Sequence, residues 1–500
     1  MADLTLHTPN PTAILPPEGA PSGDPARDRY RQARIAHWED LAARSDGPSR
    51  AARYYHRRLA EVYRYLVAPG QRVLELGCGR GDLLAALDPA EGVGVDFSPA
   101  TIAQARERHP ELRFVLGDVH ALGDLLEGSY DVIVLSDLVN DLWDVQEVLE
   151  QVRALAAPGA RIVLNTYSRL WEPALALAER LGLAQPVLYQ NWLTAEDLAN
   201  LLHLTGFEVI RHWQEVVWPV ATPLIDRLCN RYLARLWPFR HLALSNFLLA
   251  RPLPAEPPAA EEPLVSVVIA ARNEAGNVPQ IFARVPEMGA GTEMVFVEGH
   301  SRDNTYEAIE EAVAAHPERR CQLLRQTGVG KGDAVRAGFA AARGDVLMIL
   351  DADLTVPPED LPRFYEALRM GKGEFINGVR LVYPMEREAM RFWNLLGNKF
   401  FSLAFSWLLG QSIKDTLCGT KVLWRKDYER LADNRAYFGD FDPFGDFDLL
   451  FGAAKMGLRV IDLPIRYRER TYGTTNIDRW RHGWLLLRMV AFAASRIKFV

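Results

Sequence analysis

Two aspartates separated by one residue follow a short apolar run and could bind a divalent cation together with a diphosphate. Asp351 and Asp353 come directly after residues 346–350, whose uninterrupted apolar character is typical of a buried strand. Carboxylate oxygens are ligands that Mg²⁺ and Mn²⁺ prefer, and a cation there would offset negative charge developing on a departing nucleotide. The pair is therefore the leading catalytic and metal-binding candidate of the second half of the chain.

Three further polar clusters precede this pair, and the first two of them lie at the ends of apolar runs of strand length. Their members are Asn273, Glu274, Glu298, Ser301, Asp303, Lys331 and Asp333. Lys331 belongs to a glycine-rich turn at residues 328–332. That turn lacks the G-x-x-x-x-G-K-[ST] order of a phosphate loop, which disfavours an ATPase.

A second set of candidates lies in the first half of the chain, around a glycine-rich turn. Gly77, Gly79 and Gly81 stand between an apolar run at residues 73–76 and a helical pattern, where glycine lets a ligand approach the backbone beside a helix N-terminus. Asp96 ends the next apolar run, where its carboxylate could accept both ribose hydroxyls. Asp118 ends the third run, where it could contact an adenine amino group.

In combination, residues 75–81, Asp96, Asp118 and the turn at 157–159 resemble the class I S-adenosylmethionine-dependent methyltransferases over roughly residues 50–210. The resemblance implies S-adenosylmethionine as cofactor. It implies the cofactor-binding residues Glu75, Gly77, Gly79, Gly81, Asp96 and Asp118. Residues 136–141 and 165–168 end the fourth and fifth strands, and they could either contact the methyl acceptor or merely cap the strands.

Residues 265–476 resemble glycosyltransferase family 2, within it the polyprenyl-phosphate sugar transferases similar to dolichol-phosphate mannosyltransferase. The resemblance implies a GT-A fold, a UDP- or GDP-linked sugar donor and Mg²⁺ or Mn²⁺. It assigns the clusters at residues 273–274 and 298–305 to the nucleotide base and ribose, and Asp351 and Asp353 to the metal and diphosphate. Glu298 with Gly299 stands where the family usually has two aspartates.

The acceptor side of the same resemblance rests on residues 415–421, which look like the family's acceptor loop. The candidate acceptor residues are Arg391, Asp415, Lys421 and Arg470, with Arg466 and Arg468 as further cations. A lipid phosphate is already anionic and needs cations, whereas a sugar hydroxyl needs a general base, for which Asp448 or Asp446 would serve. The lipid phosphate is favoured, although Asn476 replaces a lysine that is common in the family's closing motif.

The elements that must position these residues are parallel strands separated by helices, once in each half of the chain. This pattern predicts an α/β chain of two domains. The two resemblances imply that the first is a Rossmann-like methyltransferase and the second a GT-A nucleotide-diphospho-sugar transferase. We expect a disordered leader at 1–28 and the first domain at 29–250. A proline-rich linker follows at 251–263, and the second domain, with a C-terminal amphipathic segment, occupies 264–500.

Composition excludes several classes of protein. The 500 residues carry a net charge of −7, and residues 1–250 contain 24 arginines, 31 acidic residues and no lysine, so we expect no nucleic-acid partner. The four cysteines lack C-x-x-C spacing, which favours reduced thiols. Without a secretion signal, we expect a cytoplasmic protein, either free or peripheral on the inner face of the cytoplasmic membrane.

Three segments combine many apolar residues with charged or amide residues, at 224–250, 392–409 and 484–500. In the first, Arg227, Arg231 and Arg235 recur every fourth residue and share one face of a helix, which we expect to pack on its own domain. For the other two, surface attachment to a membrane and core packing are both open.

Three functions remain open at this point. In the first, the chain is a bifunctional enzyme of cell-envelope or surface-glycan synthesis, with both sites active. In the second, the first domain binds S-adenosylmethionine without catalysis and acts as a scaffold or sensor for the transferase. In the third, the second domain is a soluble glycosyltransferase that acts on protein or sugar hydroxyls.

Overall fold

The computed structural model describes residues 25–43, 49–180, 188, 190–254, 262–380, 392–438, 446–465, 472 and 479–500. These residues form two α/β units, each built on a seven-stranded sheet, as the alternation of strands and helices predicts. Arg391 and Arg470 lie outside the described residues, as do Arg466, Arg468 and Asn476. Asp446 is described for its backbone alone.

The first sheet has five parallel strands followed by an antiparallel pair, in the order β3-β2-β1-β4-β5-β7-β6. Its strands are β1 Arg72–Leu76, β2 Glu91–Asp96, β3 Arg113–Leu116, β4 Tyr130–Ser136, β5 Ala156–Tyr167, β6 Phe207–Glu215 and β7 Ser245–Pro252. The central strands are buried along nearly their whole length, as parallel strands covered on both faces are. Helices therefore cover both faces of this sheet.

The helices of the first unit are α1 Pro25–Ala43, α2 Arg50–Leu66, α3 Asp82–Ala86, α4 Pro99–Arg108, α5 Val145–Leu155, α6 Glu172–Arg180, α7 Ala195–Leu204 and the single turn α8 Ile225–Arg227. Helix α2 buries Tyr55, Leu59 and Val62, which recur at helical spacing and so form one face. Ser98 begins α4 by accepting a hydrogen bond from the Thr101 amide, and Pro99 suits the first turn because its missing amide has no partner there.

The second sheet has the order β10-β9-β8-β11-β13-β12-β14. Its strands are β8 Val265–Ala271, β9 Thr292–Glu298, β10 Arg320–Arg325, β11 Val346–Ile349, β12 Phe375–Val379, β13 Lys421–Trp424 and β14 Val460–Pro464. Strands β8 to β11 are mutually parallel, and β13 runs antiparallel to both β11 and β12. The carboxyl ends of β8, β9 and β11 therefore meet at one edge of the sheet, where the predicted clusters follow them.

The helices of the second unit are α9 Val278–Arg284, α10 Thr305–Ala315, α11 Lys331–Ala341, α12 Leu361–Arg369, α13 Phe392–Leu409, α14 Arg425–Asp433, α15 Asp446–Lys455 and α16 Arg479–Ala493. One apolar core joins α13, α15 and α16 to one face of the sheet, and a second core joins α9 and α12 to the other face. Among the described residues, no helix combines the length and the apolar character needed to cross a bilayer.

Strand β7 and helix α1 extend into segments expected to be unstructured. Helix α1 begins at Pro25, within the predicted leader, and β7 continues to Pro252, within the predicted linker. Pro252 is the last residue of its strand, where a missing amide donor is tolerated, and Arg251 is held by Glu208 on the neighbouring strand. Tertiary pairing thus overrides the proline-rich composition at this end of the segment.

The segment at residues 224–250 does not form the single helix that its arginine spacing predicts. It contains α8, a π turn at Leu228–Tyr232, two 3-10 turns at Leu233–Arg235 and Phe239–Leu242, and then β7. Pro238 interrupts the helical hydrogen bonds, and the following residues pair with β5 and β6 on both sides. The prediction of one packed helix is therefore wrong.

A network of buried charges joins the two units. Arg161 on β5 donates to both carboxylate oxygens of Glu374, at 3.0 and 2.9 Å. Arg251 donates to Glu208 in its own unit and to the Gly371 carbonyl of the other, at 2.8 Å each. In the opposite direction, Arg459 of the second unit donates to Glu208 of the first at 2.8 Å. Glu208 therefore binds arginine side chains of both units, whereas Glu374 binds Arg161 of the first unit and accepts from the Arg459 amide of its own.

Close packing accompanies these charges at the joint between the units. Gly457 has φ +63°, and a Cβ at this position would lie 2.6 Å from a methyl carbon of Leu249, so only glycine suits both the backbone and the contact. Nearby, the Lys455 ammonium donates to the Tyr65 carbonyl at 2.6 Å and lies over the rings of Tyr65 and Tyr437. The joint is thus closely packed at Gly457, and its buried ammonium and guanidinium groups have acceptors across it.

Candidate functional sites

The glycine turn of the first unit is fixed to the end of β2 by the predicted acid. Asp96 accepts hydrogen bonds from the Gly79 amide through one carboxylate oxygen and from the Ser98 amide through the other, both at 3.0 Å. A carboxylate has further lone pairs, so Asp96 can still accept from two hydroxyl groups. Burial raises the pKa of Asp96, although these amides partly offset that effect. The structure therefore brings the turn and Asp96 together as predicted.

The glycine turn leaves space for a ligand above its backbone. Gly77, Gly79 and Gly81 all have positive φ, and a Cβ at Gly79 would meet no atom within 4 Å. Beside it, Glu75 is 3% exposed, and its Oε2 atom has no hydrogen-bond partner among the described residues. Burial raises the pKa of Glu75 well above its usual range. A buried carboxylate oxygen without a partner suits a cationic ligand group.

Asp118 lies at the end of β3 beside a histidine that sequence reasoning missed. Its Oδ1 atom accepts from the His120 amide at 3.0 Å and lies 2.7 Å from His120 Nδ1. Burial would raise the pKa of Asp118, but the contacts with His120 outweigh it and lower the pKa. Asp118 therefore caps its own turn and is predisposed to be anionic.

Helix α1 packs against the loop that follows β4. Arg34 is 5% exposed, and its Nε atom donates to the Asp141 carbonyl at 3.1 Å. Its guanidinium lies 3.8 Å from the centre of the Tyr30 ring on the same helix. The composition of the N-terminus gave no signal for this contact, because it depends on a loop more than 100 residues away.

A polar cluster at the ends of β4 and β5 centres on Asp137. Its Oδ1 atom accepts from Tyr55 at 2.9 Å and from the Asn165 amide group at 2.5 Å. Asn165 in turn accepts from Tyr63 at 2.7 Å, and Tyr55 also contacts Ser245. Burial raises the pKa of Asp137 to about 7, although the bonds from Tyr55 and Asn165 lower it. The sequence had offered Asp137 and Asn165 as candidates, but not the tyrosines of α2.

Other polar residues at these strand ends have structural roles. Asn140 is fully buried, accepts from the Thr166 hydroxyl at 2.8 Å and donates to the Asn191 carbonyl at 2.8 Å. Both of its side-chain functions are used within the protein. Asn140 and Thr166 therefore bond to each other at the strand ends, as capping residues do. Asp137 belongs to the polar cluster instead.

In the second unit, the loops that follow β8 and β9 are bound to each other. The Asn273 amide donates to Ser301 at 3.1 Å, and Asn273 Oδ1 accepts from the Arg302 amide at 2.7 Å. Glu298 accepts from the Ser301 amide at 2.5 Å, and Asp303 accepts from Thr305. Asn273 has φ +57°, a left-handed conformation that asparagine tolerates better than most residues.

Glu274 completes this pair of loops from below. It is 6% exposed, its amide donates to Thr305 at 2.9 Å, and its Oε2 atom accepts from Asn277 at 2.7 Å. The structure therefore brings these predicted residues together on one hydrogen-bonded pair of loops, at positions 273, 274, 298, 301 and 303.

The glycine-rich turn before α11 is held by Asp333. Its Oδ2 atom accepts from the Gly328 amide at 3.1 Å and from Gln326 at 2.9 Å. Gly328 also offers its carbonyl to His300 at 3.1 Å, which connects this turn to the loop after β9. Asp333 thus shapes the turn that presents Lys331.

The two aspartates after β11 have different surroundings. Asp351 Oδ1 forms an ion pair with Lys331 at 2.7 Å, whereas Asp353 Oδ1 accepts from the Thr355 amide and hydroxyl at 3.1 and 2.8 Å. Burial would raise the pKa of Asp351, but Lys331 and more distant cations lower it. The described residues include no group of three or more His, Cys, Asp or Glu side chains arranged to hold a metal ion.

Gly419 of the predicted acceptor loop lies directly against this ion pair. A Cβ at Gly419 would overlap both carboxylate oxygens of Asp351 and the ammonium of Lys331. Three separately predicted elements, the glycine-rich turn, the paired aspartates and the acceptor loop, therefore converge at one point.

The rest of the acceptor loop is organised by an arginine that the sequence did not single out. Arg380 donates to both oxygens of Asp415, at 2.7 and 2.9 Å, and Asp415 is 2% exposed. Burial would raise the pKa of Asp415, but Arg380 lowers it. Lys421 is fully buried and donates to the Cys418 carbonyl within the loop. Asp415 thus holds the loop, and Arg380 and Lys421 supply positive charge that reaches Asp351.

Asp448 occupies a different set of contacts. Its Oδ2 atom accepts from Arg435 Nε at 2.8 Å, within the apolar surroundings of α14 and α15. The alternative base, Asp446, and the acceptor candidates Arg391 and Arg470 have no described side chains. Their predicted roles remain predictions.

Comparisons with known proteins agree with the two family resemblances and with the predicted fold class. Residues 266–431 match the family model described as glycosyl transferase family 2, and residues 49–212 match a methyltransferase domain. An undecaprenyl-phosphate 4-deoxy-4-formamido-L-arabinose transferase of Aeromonas hydrophila subsp. hydrophila is 36% identical over 42% of this chain and 61% of its own length. A dolichol-phosphate mannosyltransferase of Pyrococcus furiosus is 29% identical over 47% of this chain and 67% of its own length.

The chain thus spans less than two thirds of the first of these relatives. A crystal structure of magnesium protoporphyrin IX methyltransferase from Synechocystis PCC 6803 with bound SAH is 19% identical to this chain. The superposition covers 45% of this chain and 97% of the Synechocystis chain, with a TM-score of 0.32.

Proposed function

We propose that this chain, which contains a methyltransferase domain followed by a glycosyl transferase family 2 domain, is a bifunctional enzyme of cell-envelope or surface-glycan synthesis that acts at the cytoplasmic face of a membrane. The observation that carries the glycosyl transfer is the contact of Gly419 with Asp351 and Lys331, because it sets the acceptor loop against the residues proposed to hold the donor diphosphate. The observation that supports cofactor binding is the buried, unpaired Glu75 oxygen beside the open face of Gly79.

The proposed donor is a UDP- or GDP-linked sugar. Asn273, Glu274 and the Glu298 loop would contact the nucleoside, and Lys331 would contact the diphosphate. Asp351 and Asp353 would hold Mg²⁺ or Mn²⁺, with further oxygen ligands from the diphosphate, since two carboxylates alone do not complete the coordination of either ion. A cation there stabilises the negative charge of the leaving nucleoside diphosphate.

The proposed acceptor is a polyprenyl phosphate. A monophosphate oxygen is anionic near neutral pH and can attack the anomeric carbon without a general base, so the protein must supply positive charge and orientation. Arg380 and Lys421 supply that charge beside the aspartate pair. The attack forms the new glycosyl–oxygen bond as the bond to the nucleoside diphosphate breaks, with inversion at the anomeric carbon. The names of the two transferase relatives, which include undecaprenyl phosphate and dolichol phosphate, support this acceptor class.

In the first domain, the proposed cofactor is S-adenosylmethionine. Asp96 would accept from the ribose hydroxyls, Asp118 would contact the adenine, and Glu75 would face the cationic part of the cofactor. The cofactor supplies an activated methyl group. Asp137 would accept the proton of a neutral acceptor hydroxyl or amine, because its raised pKa lets it exchange a proton near neutral pH.

The charge network between the domains favours a second candidate, in which the first domain binds the cofactor without catalysis and serves as a scaffold for the transferase. Labelled S-adenosylmethionine separates the two. Methyl transfer into a lipid extract supports catalysis, whereas cofactor binding measured by calorimetry with no transfer into any extract supports the scaffold.

The glycosyl transfer is tested by mass spectrometry of products formed from a panel of UDP- and GDP-sugars with undecaprenyl phosphate, with and without Mg²⁺ or Mn²⁺. We expect one nucleotide sugar to yield a glycosyl phospholipid, and Asp351→Ala to abolish the product while S-adenosylmethionine binding by the same chain persists. Product formation only on protein or sugar hydroxyls would reject the lipid-phosphate acceptor. Unchanged turnover by Asp351→Ala would reject the assigned site.

A further inference from the structure

The first domain carries an exposed apolar stripe on its short helical turns. Leu224, Leu228 and Tyr232 are spaced four residues apart and are 83%, 54% and 39% exposed, and the Leu228 amide donates to the Leu224 carbonyl as in a helix. Their side chains therefore lie on one face. Trp237, which is 75% exposed, continues the apolar surface on the following turn. Exposure of this many large apolar side chains in one segment is unusual for a surface that meets only water.

The second domain carries a matching stripe on α13. Phe400, Leu403 and Trp407 recur at intervals of three and four residues, which places them on one face, and they are 56%, 73% and 37% exposed. The same helix buries Phe405 and Leu408 in the domain core. From residue 400 onward, α13 thus carries large apolar side chains on its outer face as well as on its inner face.

The C-terminal residues join the two stripes end to end. The Phe499 ring lies 5.3 Å from the Tyr232 ring and 5.8 Å from the Trp407 ring, measured between centroids. Arg235 donates to the Lys498 carbonyl at 3.0 Å, and Lys498 donates to the Trp407 carbonyl at 2.8 Å. We call the surface formed by residues 224, 228, 232, 499, 407, 403 and 400 the apolar ribbon.

Charge indicates what the apolar ribbon contacts. Residues 217–244 contain four arginines, at 227, 231, 235 and 240, and one acid, Asp226. Arg235 is paired with the buried Glu215 at 2.5 Å, so the cations that border the ribbon are Arg227, Arg231 and Arg240. The arginines each follow or flank an exposed apolar residue. Leucine, tryptophan and phenylalanine bordered by arginine are typical of helices that lie in the interface of an anionic bilayer. A second copy of this chain would bring like charges together along the same border.

We propose that the apolar ribbon docks on the surface of an anionic phospholipid bilayer, so that the methyltransferase domain contributes a membrane contact of its own, continuous with that of α13. The inference deepens the proposed function, on which it rests for the lipid nature of the acceptor. It assigns to the first domain a role in placing the acceptor loop at the lipid surface, in addition to its own chemistry.

Vesicle sedimentation with the full chain tests the proposal. The ribbon variant carries Leu224→Ser and Leu228→Ser. Its matched control carries Leu170→Ser and Leu204→Ser, two leucines of the same domain outside the ribbon that are 59% and 60% exposed. On vesicles of phosphatidylglycerol and phosphatidylethanolamine, we expect the ribbon variant to bind roughly tenfold more weakly or worse, and the control to bind like the parent chain. Binding should also weaken as salt is raised.

Equal binding by the ribbon variant, the control and the parent would overturn the proposal. The proposal would also be overturned if the parent chain did not bind vesicles but formed a dimer, and the ribbon variant were monomeric. The ribbon would then be the contact surface for a second copy of the chain. Sugar transfer to a short-chain polyprenyl phosphate in detergent micelles separates this proposal from the proposed function. Both variants should transfer sugar in these micelles at the parental rate. Vesicle binding that the ribbon variant loses, without any sugar transfer by the parent chain, would support membrane docking of the ribbon and reject the proposed acceptor.

Discussion

Arg161 on the first sheet donates a hydrogen bond to each carboxylate oxygen of Glu374, which directly precedes β12 of the second sheet, at 3.0 and 2.9 Å, with both side chains largely buried. Glu374 also lies 3.6 Å from Arg251, so one acid neutralises two arginines at the joint. The pair therefore links the two domains through buried opposite charges.

Glu374→Gln should destabilise the joint because it leaves the buried Arg161 without its counter-charge and removes one of the two acids beside Arg251. We expect a loss of about 3 kcal/mol in the free energy of unfolding, measured by urea titration with separate probes for each domain. The matched control is Glu359→Gln, which breaks an equally close pair with Arg284 that is exposed and lies within one domain. That change should cost less than about 1 kcal/mol. Similar losses in the two variants would contradict a structural role for the buried pair.

The same carboxyl should make the stability of the joint depend on pH. Burial would raise the pKa of Glu374, but Arg161 and Arg251 outweigh it and lower the pKa below its usual value. Its contribution is therefore complete above the unfolded pKa, about 4.3, and is lost as the pH falls through the lower folded value. Thermal unfolding of the parent and of Glu374→Gln should differ by a constant amount between pH 7 and 5. The gap should close in stronger acid, and a gap that persists there would count against this assignment.

Gly419→Ala should impair sugar transfer while leaving the fold intact. The added methyl overlaps Asp351 and Lys331, so the acceptor loop or the ion pair must move, and displacements of this size can cost roughly 100-fold in rate. The control is Gly123→Ala, whose methyl would meet its nearest atom at 3.6 Å, an ordinary contact. Rates are measured by glycosyl product formation, with cofactor binding to the first domain as an internal check of folding. A fully active Gly419→Ala enzyme would show that the convergence of these loops is irrelevant to transfer.

Asp137→Asn should abolish the pH dependence of methyl transfer. Burial raises the pKa of Asp137 to about 7, so the carboxylate form needed for a base accumulates as the pH rises through that value. The parent enzyme should transfer labelled methyl groups faster from pH 6 to 8, whereas the variant should be slow and flat. Asparagine tolerates the left-handed backbone at this position, so S-adenosylmethionine binding should be unchanged. A variant with the parental pH profile would remove Asp137 from the chemistry.

Sequence reasoning found the residues that end parallel strands, because strand periodicity and turn chemistry are local. Asp96, Asp118 and Asp351 could be assigned to one sheet edge or another from these local patterns alone. The same reasoning could not find Tyr55 or Arg380, which reach Asp137 and Asp415 from elements remote in sequence. Local patterns do not record such contacts.

For the segment at 224–250, a local pattern predicted an element that the structure does not contain. Its arginine spacing is helical, yet residues 245–252 lie between two strands as β7, since pairing on both edges outweighs a weak local preference. Asp333 holds the turn that presents Lys331, and its predicted contact with the nucleotide sugar stays a prediction.

Arg251, the first residue of the proline-rich segment, binds Glu208 in its own domain and Gly371 in the other. All of these contacts join residues that lie on either side of the range 255–261. A chain nicked there by a protease should stay together as a single particle. Equally, the two halves made as separate polypeptides should reassemble, because the contacts between them do not depend on a covalent connection.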